Sequence, residues 1–141
     1  MIRVYIAATL PLREEARRIA YLLSQHARIV STWHDDLRAT VAVEATLDLE
    51  QRRATANRCL AEVGDAEAFI LLVGPETTRH GSFIEAGFAL GGARWLFILP
   101  VLGAPPCAEL LLPESGHVRH CGSDAELASW FRQHAGDRGA A

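Results

Sequence analysis

At 141 residues, half of them hydrophobic, the chain has the size of one compact domain and can bury a full core without disulfides or metals. A formal net charge of -3 excludes the electrostatic footprint of a protein that grips nucleic-acid polymers or anionic membranes, and leaves small ligands open. The 14 basic residues are all Arg, which excludes Schiff-base, Walker and nucleophilic lysines. Cys59, Cys107 and Cys121 are odd in number and show no CxxC spacing, so neither a disulfide framework nor a zinc site is expected. No apolar run approaches the length of a membrane span, and the first residues open directly into a strand pattern, so a cytoplasmic protein with reduced thiols is the expectation.

Residues 2 to 8 form a short apolar run with little polar alternation, as a parallel strand covered on both faces requires. Pro11 suits a first helical turn, and Leu12, Ala16, Ile19, Ala20 and Leu23 trace one apolar face of a helix ending near Gln25. Residues 27 to 33 predict a second strand. His34, Asp35 and Asp36 then open a polar stretch reaching about Ala45, read as a loop bordering the ligand site. Helix formers dominate from Leu47 to about Glu62, ahead of Gly64 and a third strand over residues 68 to 73.

The next helix carries Gly81-Ser82-Phe83-Ile84-Glu85 and closes at Gly91-Gly92; residues 95 to 99 make a fourth strand halted by Pro100. Residues 103 to 116, with three prolines, predict an irregular connection. A weak fifth strand over 118 to 121 leads into Ser123-Asp124-Ala125-Glu126, a capping box opening the last helix, which runs through about His134. Strands alternating with helices on short connections predict one α/β domain over residues 1 to 135, a doubly wound parallel five-stranded sheet between two helical layers, with a flexible tail from 136 to 141. The turn after the first strand lacks glycine, which argues against dinucleotide binding of the Rossmann type, and no GxSxG elbow is present.

Glu85 invites two readings. As the carboxylate of a first helical turn beyond a buried strand, it sits where open α/β sheets place their chemistry, kept ionised by the helix dipole. Equally, Ser82 and Glu85 have the spacing of a capping box, with Phe83, Ala86, Gly87 and Leu90 as the stripe against the sheet and Glu85 off it.

Tyr5-Ile6-Ala7, Ser31-Thr32-Trp33 and the segment Gly81-Ser82-Phe83-Ile84-Glu85-Ala86-Gly87-Phe88-Ala89-Leu90 together resemble the nucleoside 2-deoxyribosyltransferase family, which includes 2'-deoxynucleoside 5'-phosphate N-hydrolases and CMP N-glycosidases. The resemblance implies a flavodoxin-like fold, no cofactor, a small-molecule nucleoside or nucleotide substrate, and a homodimer or higher homo-oligomer. It implies that Glu85 attacks the anomeric carbon, that Tyr5 orients Glu85, and that Ala7, Trp33, Cys59, Arg79, Gly81 and Ser82 contribute to the substrate site. Tyr5 reads equally as a core residue whose hydroxyl merely finds a partner, and Trp33 either stacks on the base or sugar or simply packs at a strand end. Two positions depart from the family: Cys59 stands where an Asp usually protonates the departing base, and Arg79 where the transferases carry a second Asp. Glu62 and Asp48 are the nearby carboxylates available to replace the missing acid, and Arg79 points to a phosphate in the substrate. His34, Asp35 and Asp36 offer acid, base or metal-ligand chemistry or are simply solvated, and no metal is expected. Other functions consistent with the residues are a non-catalytic nucleotide-binding module and a hydrolase of NAD or a signalling nucleotide, since TIR-type domains share the topology and a catalytic Glu.

Overall fold

The computed structural model describes residues 1–36, 40–75, 80–93, 95–104 and 117–136, with the backbone alone for residues 80–83. Five parallel strands, β1 (Ile2–Ala7), β2 (Ala27–Ile29), β3 (Ala68–Val73), β4 (Trp95–Pro100) and β5 (Val118–His120), form one sheet in the order β2-β1-β3-β4-β5. Helices α1 (Arg13–Leu23), α2 (Val41–Glu44), α3 (Leu49–Asp65), α4 (His80–Gly92) and α5 (Asp124–His134) complete a three-layer flavodoxin-like α/β fold. Every residue of β3 is buried, as an unbroken apolar run in the middle of a parallel sheet demands, while the edge strands β2 and β5 are three residues each and half-exposed.

Helix α1 buries the face its spacing predicts, Leu12, Ala16, Ile19 and Leu23, after a 3-10 turn over Leu10–Leu12. Opposite, α3 and α4 pack on each other and on β1. Asp48 opens α3 with a full capping box: its Oδ1 accepts from Gln51 N–H at 2.8 Å while Gln51 Oε1 accepts from Asp48 N–H at 3.0 Å. The helix runs through Gly64 to Asp65, beyond the predicted end at Glu62. Ser123 caps α5 as predicted, through Glu126 N–H, but the Glu126 carboxylate turns back to Gly122 N–H and leaves the box half made.

Strand β2 is shorter than residues 27 to 33 predict, and the reason is local. Its last backbone bond to β1 is Val30 N–H to the Val4 carbonyl, after which the chain swings away. Side chains then replace the missing strand: Ser31 Oγ accepts from Ile6 N–H at 3.1 Å, and Trp33 Nε1–H donates to the Ile6 carbonyl at 2.7 Å. Both buried polar groups of Ile6 are thereby satisfied without a ladder. The polar stretch read as a loop contains a 3-10 turn over Trp33–Asp35 and the short α2, capped by Thr40.

Strand order reverses between β1 and β3, so although the two strands stay paired through Ala7 and Leu71, the connections leaving them part and give a crevice beyond their carboxyl ends, the usual ligand position in open α/β sheets.

Candidate active site

Three elements converge on that crevice. Tyr5 projects from β1, Cys59 and Glu62 from α3, and Glu85 from α4. Tyr5 is wholly buried and its ring stacks on Phe69 of the neighbouring β3, with centroids 5.6 Å apart and planes 11° from parallel. Two strands in register therefore fix the ring, and its hydroxyl donates to Glu85 Oε1 at 3.2 Å across 80 residues of sequence.

Glu85 is the sixth residue of α4, since the helix begins at His80; the expectation of a first-turn carboxylate is corrected by that early start. Ser82 is already helical and so does not occupy the N-cap position of a box with Glu85. The predicted stripe is corrected in part: Ala86 is buried as expected and Ala89 joins it, while Gly87 and Leu90 face outward and the Phe83 side chain lies outside the described residues. Small residues let α4 close on the sheet and turn half-buried Glu85 inward with them. Removed from the first turn, Glu85 gains little from the helix dipole. Burial dominates instead and raises its pKa from 4.5 to about 7, with the Tyr5 hydrogen bond opposing the rise and the charge of Glu62 adding to it. At neutral pH the carboxylate is thus shared between its two forms, which corrects the expectation of a permanently ionised group.

Cys59 is buried beside the Tyr5 hydroxyl, within its hydrogen-bonding reach, and its thiol is pushed up by burial, so it is neutral at physiological pH. Burial, and then the nearby Glu85, likewise raise Tyr5 far beyond any accessible ionisation. The hydroxyl accordingly serves Glu85 as a fixed neutral donor. Glu62, one turn further along α3, is held by Thr32, whose N–H donates to Oε2 at 3.1 Å and whose hydroxyl donates to Oε1 at 2.5 Å. This clamp ties α3 to the segment after β2. Asp48, the other replacement acid considered, is committed to capping the far end of α3.

Trp33 is only 7% exposed, with its indole N–H committed to Ile6, so in this conformation the ring packs rather than offering a stacking face. Ala7 is fully buried, and the partly exposed residues at that strand end are Ala8, Thr9 and Leu10. Gly81 and Ser82 form the backbone of the first turn of α4, and Arg79 lies outside the described residues. His34 is not a solvated loop residue: it is buried, its Nε2 lies 3.0 Å from Ser31 Oγ, and burial lowers its pKa and keeps it neutral. The exposed Asp35 pairs with Arg17 at 3.6 Å. Among the described residues no cluster of three His, Cys, Asp or Glu side chains is placed to hold a metal. The Ser31 and Trp33 contacts with Ile6 were not foreseen, because nothing in an apolar run tells where a strand leaves its neighbour.

No protein-family model matches this chain, and no curated protein does. Among solved structures, the fold is similar to a 2-deoxyribosyltransferase from the psychrotolerant bacterium Bacillus psychrosaccharolyticus, at TM-score 0.64 and 13% identity over 89% of this chain and 90% of that one. It is also similar to the CMP N-glycosidase of Clostridium botulinum, at TM-score 0.52 and 14% identity over 94% of this chain and 98% of that one. The fold therefore agrees with the one that the sequence resemblance implies.

Proposed function

We propose that this protein belongs with the nucleoside 2-deoxyribosyltransferases and N-glycosidases and cleaves the N-glycosidic bond of a nucleoside or nucleoside 5'-monophosphate. The observation that carries the reading is the Tyr5 hydroxyl bonded to Glu85 Oε1 at the β1–β3 crevice, in a fold shared with two enzymes of that kind. In the first step a Glu85 oxygen attacks the anomeric carbon, the bond from that carbon to the base nitrogen breaks, and its electron pair leaves with the base, which takes up a proton from solvent. In the second step water or another base attacks the same carbon, its proton passes to solvent, and the ester electron pair returns to Glu85. A carboxylate suits both steps because the transition state is an oxocarbenium ion, stabilised by adjacent negative charge.

Tyr5 is the positioning residue. Its donor bond fixes which Glu85 oxygen remains free, and rigid placement of the nucleophile lowers the entropy cost of attack. Copies of the chain associate on this reading, and Ile84 and Phe88, exposed one turn apart on the helix that carries Glu85, are an apolar surface suited to it; sedimentation equilibrium tests the point.

The test is incubation with a panel of deoxynucleosides, ribonucleosides, their 5'-monophosphates and NAD, with free base measured by chromatography. Base release from a nucleoside or its monophosphate is expected, lost in Glu85→Gln and Glu85→Ala proteins that still melt cooperatively. No base from any substrate, with a thermal shift produced by one of them, would replace the reading by that of a binding module.

A further inference from the structure

The turn leaving β1 holds an arginine whose hydrogen-bonding capacity is left open. Arg13, the first residue of α1, is 13% exposed, and its Nη1 pairs with Glu14 Oε1 at 3.2 Å. Its Nε and Nη2 are buried with no hydrogen-bond partner, and so is the hydroxyl oxygen of Thr9, four residues earlier in the same turn. Among the described residues it is the one guanidinium with nitrogens both buried and unpaired. Arg3, Arg17, Arg18 and Arg52 all spend theirs on carboxylates or carbonyls.

Such a group is costly to leave unmatched, because a buried donor loses its water and gains nothing in return, the more so when charged. The two open nitrogens are not arbitrary. Nε and Nη2 form one edge of the guanidinium, the edge that engages two oxygens of a single phosphate or carboxylate side by side. Leu12, at the N-cap of α1, supplies no side-chain acceptor, so the helix end adds its partial positive charge, while Glu15 turns to Arg18 at 3.0 Å and Glu14 pairs with Arg17 as well as Arg13. Tyr5, which holds Glu85, lies near the carboxyl end of β1, and Thr9 and Arg13 follow that same end of the strand, the end beyond which the β1–β3 crevice lies.

We propose that Arg13 and Thr9 form a phosphate subsite, in which Nε and Nη2 of Arg13 each donate to one phosphate oxygen and the Thr9 hydroxyl donates to a third. The proposal rests on the reading of Glu85 as the glycoside site and sharpens it: the preferred substrate is a nucleoside 5'-monophosphate, a dianion above its second ionisation near pH 6, rather than the free nucleoside.

Isothermal titration with inorganic phosphate tests the subsite alone. Binding to the wild type that is lost in Arg13→Ala and weakened in Arg13→Lys, which keeps the charge without the fork, is the expected result; no binding to the wild type overturns the subsite. Base-release kinetics then test its role. Arg13→Ala is expected to raise KM for the monophosphate about 10- to 100-fold, as loss of charge-assisted bonds implies, with KM for the matched nucleoside unchanged. Equal effects on both substrates, or a wild type that prefers the nucleoside, overturn the assignment. Melting curves separate either result from misfolding. Arg13-dependent phosphate binding without base release would leave the subsite standing and remove the glycosidase reading instead.

Discussion

Replacing Glu85 by Gln separates the cost of the buried carboxylate from its chemistry. In the folded chain the Glu85 pKa stands at about 7 against 4.5 for an unperturbed glutamate. The native state therefore binds more protons than the unfolded state between those values, and stability falls as pH rises through that window. The stabilising protonated form is fully present below pH 4.5 and lost above about 7. At roughly 1.4 kcal/mol per pH unit the whole effect is about 3 kcal/mol, and partial solvent contact of the half-buried side chain reduces it to about 2 kcal/mol. Glutamine keeps the shape, keeps an oxygen for the Tyr5 hydroxyl and carries no charge. At pH 8 Glu85→Gln is therefore expected to melt about 6 °C above the wild type, and at pH 5 within about a degree of it. Thermal melts of both proteins at the two pH values check this, since other titrating groups cancel in the difference. A gap independent of pH, or a less stable variant at pH 8, would refute the claim that burial, rather than the helix end, sets the state of Glu85.

Tyr5→Phe removes the donor that holds Glu85 down, so the rising limb of the pH–rate profile, centred near pH 7 in the wild type, should move up by about one pH unit while turnover at pH 7 falls about tenfold; an unmoved limb would deny Tyr5 its positioning role. Trp33→Phe leaves the Ile6 carbonyl buried without its indole partner and should cost about 1 to 3 kcal/mol in urea unfolding, with substrate KM unaffected; a large change in KM at constant stability would show that the ring meets the substrate after all. Cys59→Asp sets a second carboxylate beside Tyr5 and Glu85. It should shift the rising limb to higher pH and speed release of the poorest leaving bases most, and a uniform change across bases would count against leaving-group protonation from this position.

What was legible in the sequence follows the strength of the pattern behind it. Strand β3, six consecutive apolar residues between breakers, needed no tertiary information, and α1 showed its buried face through Leu12, Ala16, Ile19 and Leu23. Less legible were features decided by a distant partner. Strand β2 ends where it does because Ser31 and Trp33 reach Ile6, a contact between segments 25 and 27 residues apart. On α4, hydrophobic spacing pointed to Ala86, Gly87 and Leu90 at the sheet, yet Ala89 joins Ala86 there in place of Gly87 and Leu90 because small side chains allow closer approach, and the Phe88 ring lies over the C-terminal end of α3, 3.8 Å from where a Cβ on Gly64 would sit. The ionisation of Glu85 departs from expectation for the same reason: proximity to a helix start is visible in a sequence, whereas burial against β1 is not. The capping box of α3, by contrast, is legible in the spacing of Asp48 and Gln51, and it takes up the carboxylate that the resemblance would offer as a replacement acid.

Cys59 ties these observations together. The resemblance implies an Asp there, and a carboxylate beside Tyr5 would lie close to Glu85, which already feels the repulsion of Glu62. A second charge in so buried a space would push Glu85 further above neutrality, so a family member with that Asp gains a leaving-group acid at the expense of nucleophile ionisation. A neutral thiol reverses the exchange. It leaves Glu85 half ionised near pH 7 and stays within hydrogen-bonding reach of Tyr5, but it is too weak an acid to protonate a departing base. On the proposed reaction, rate then depends on how well the base leaves unaided, and selectivity among bases follows their acidity more than their shape. Turnover rising with the acidity of the departing base, at fixed sugar and phosphate, is the pattern this substitution dictates.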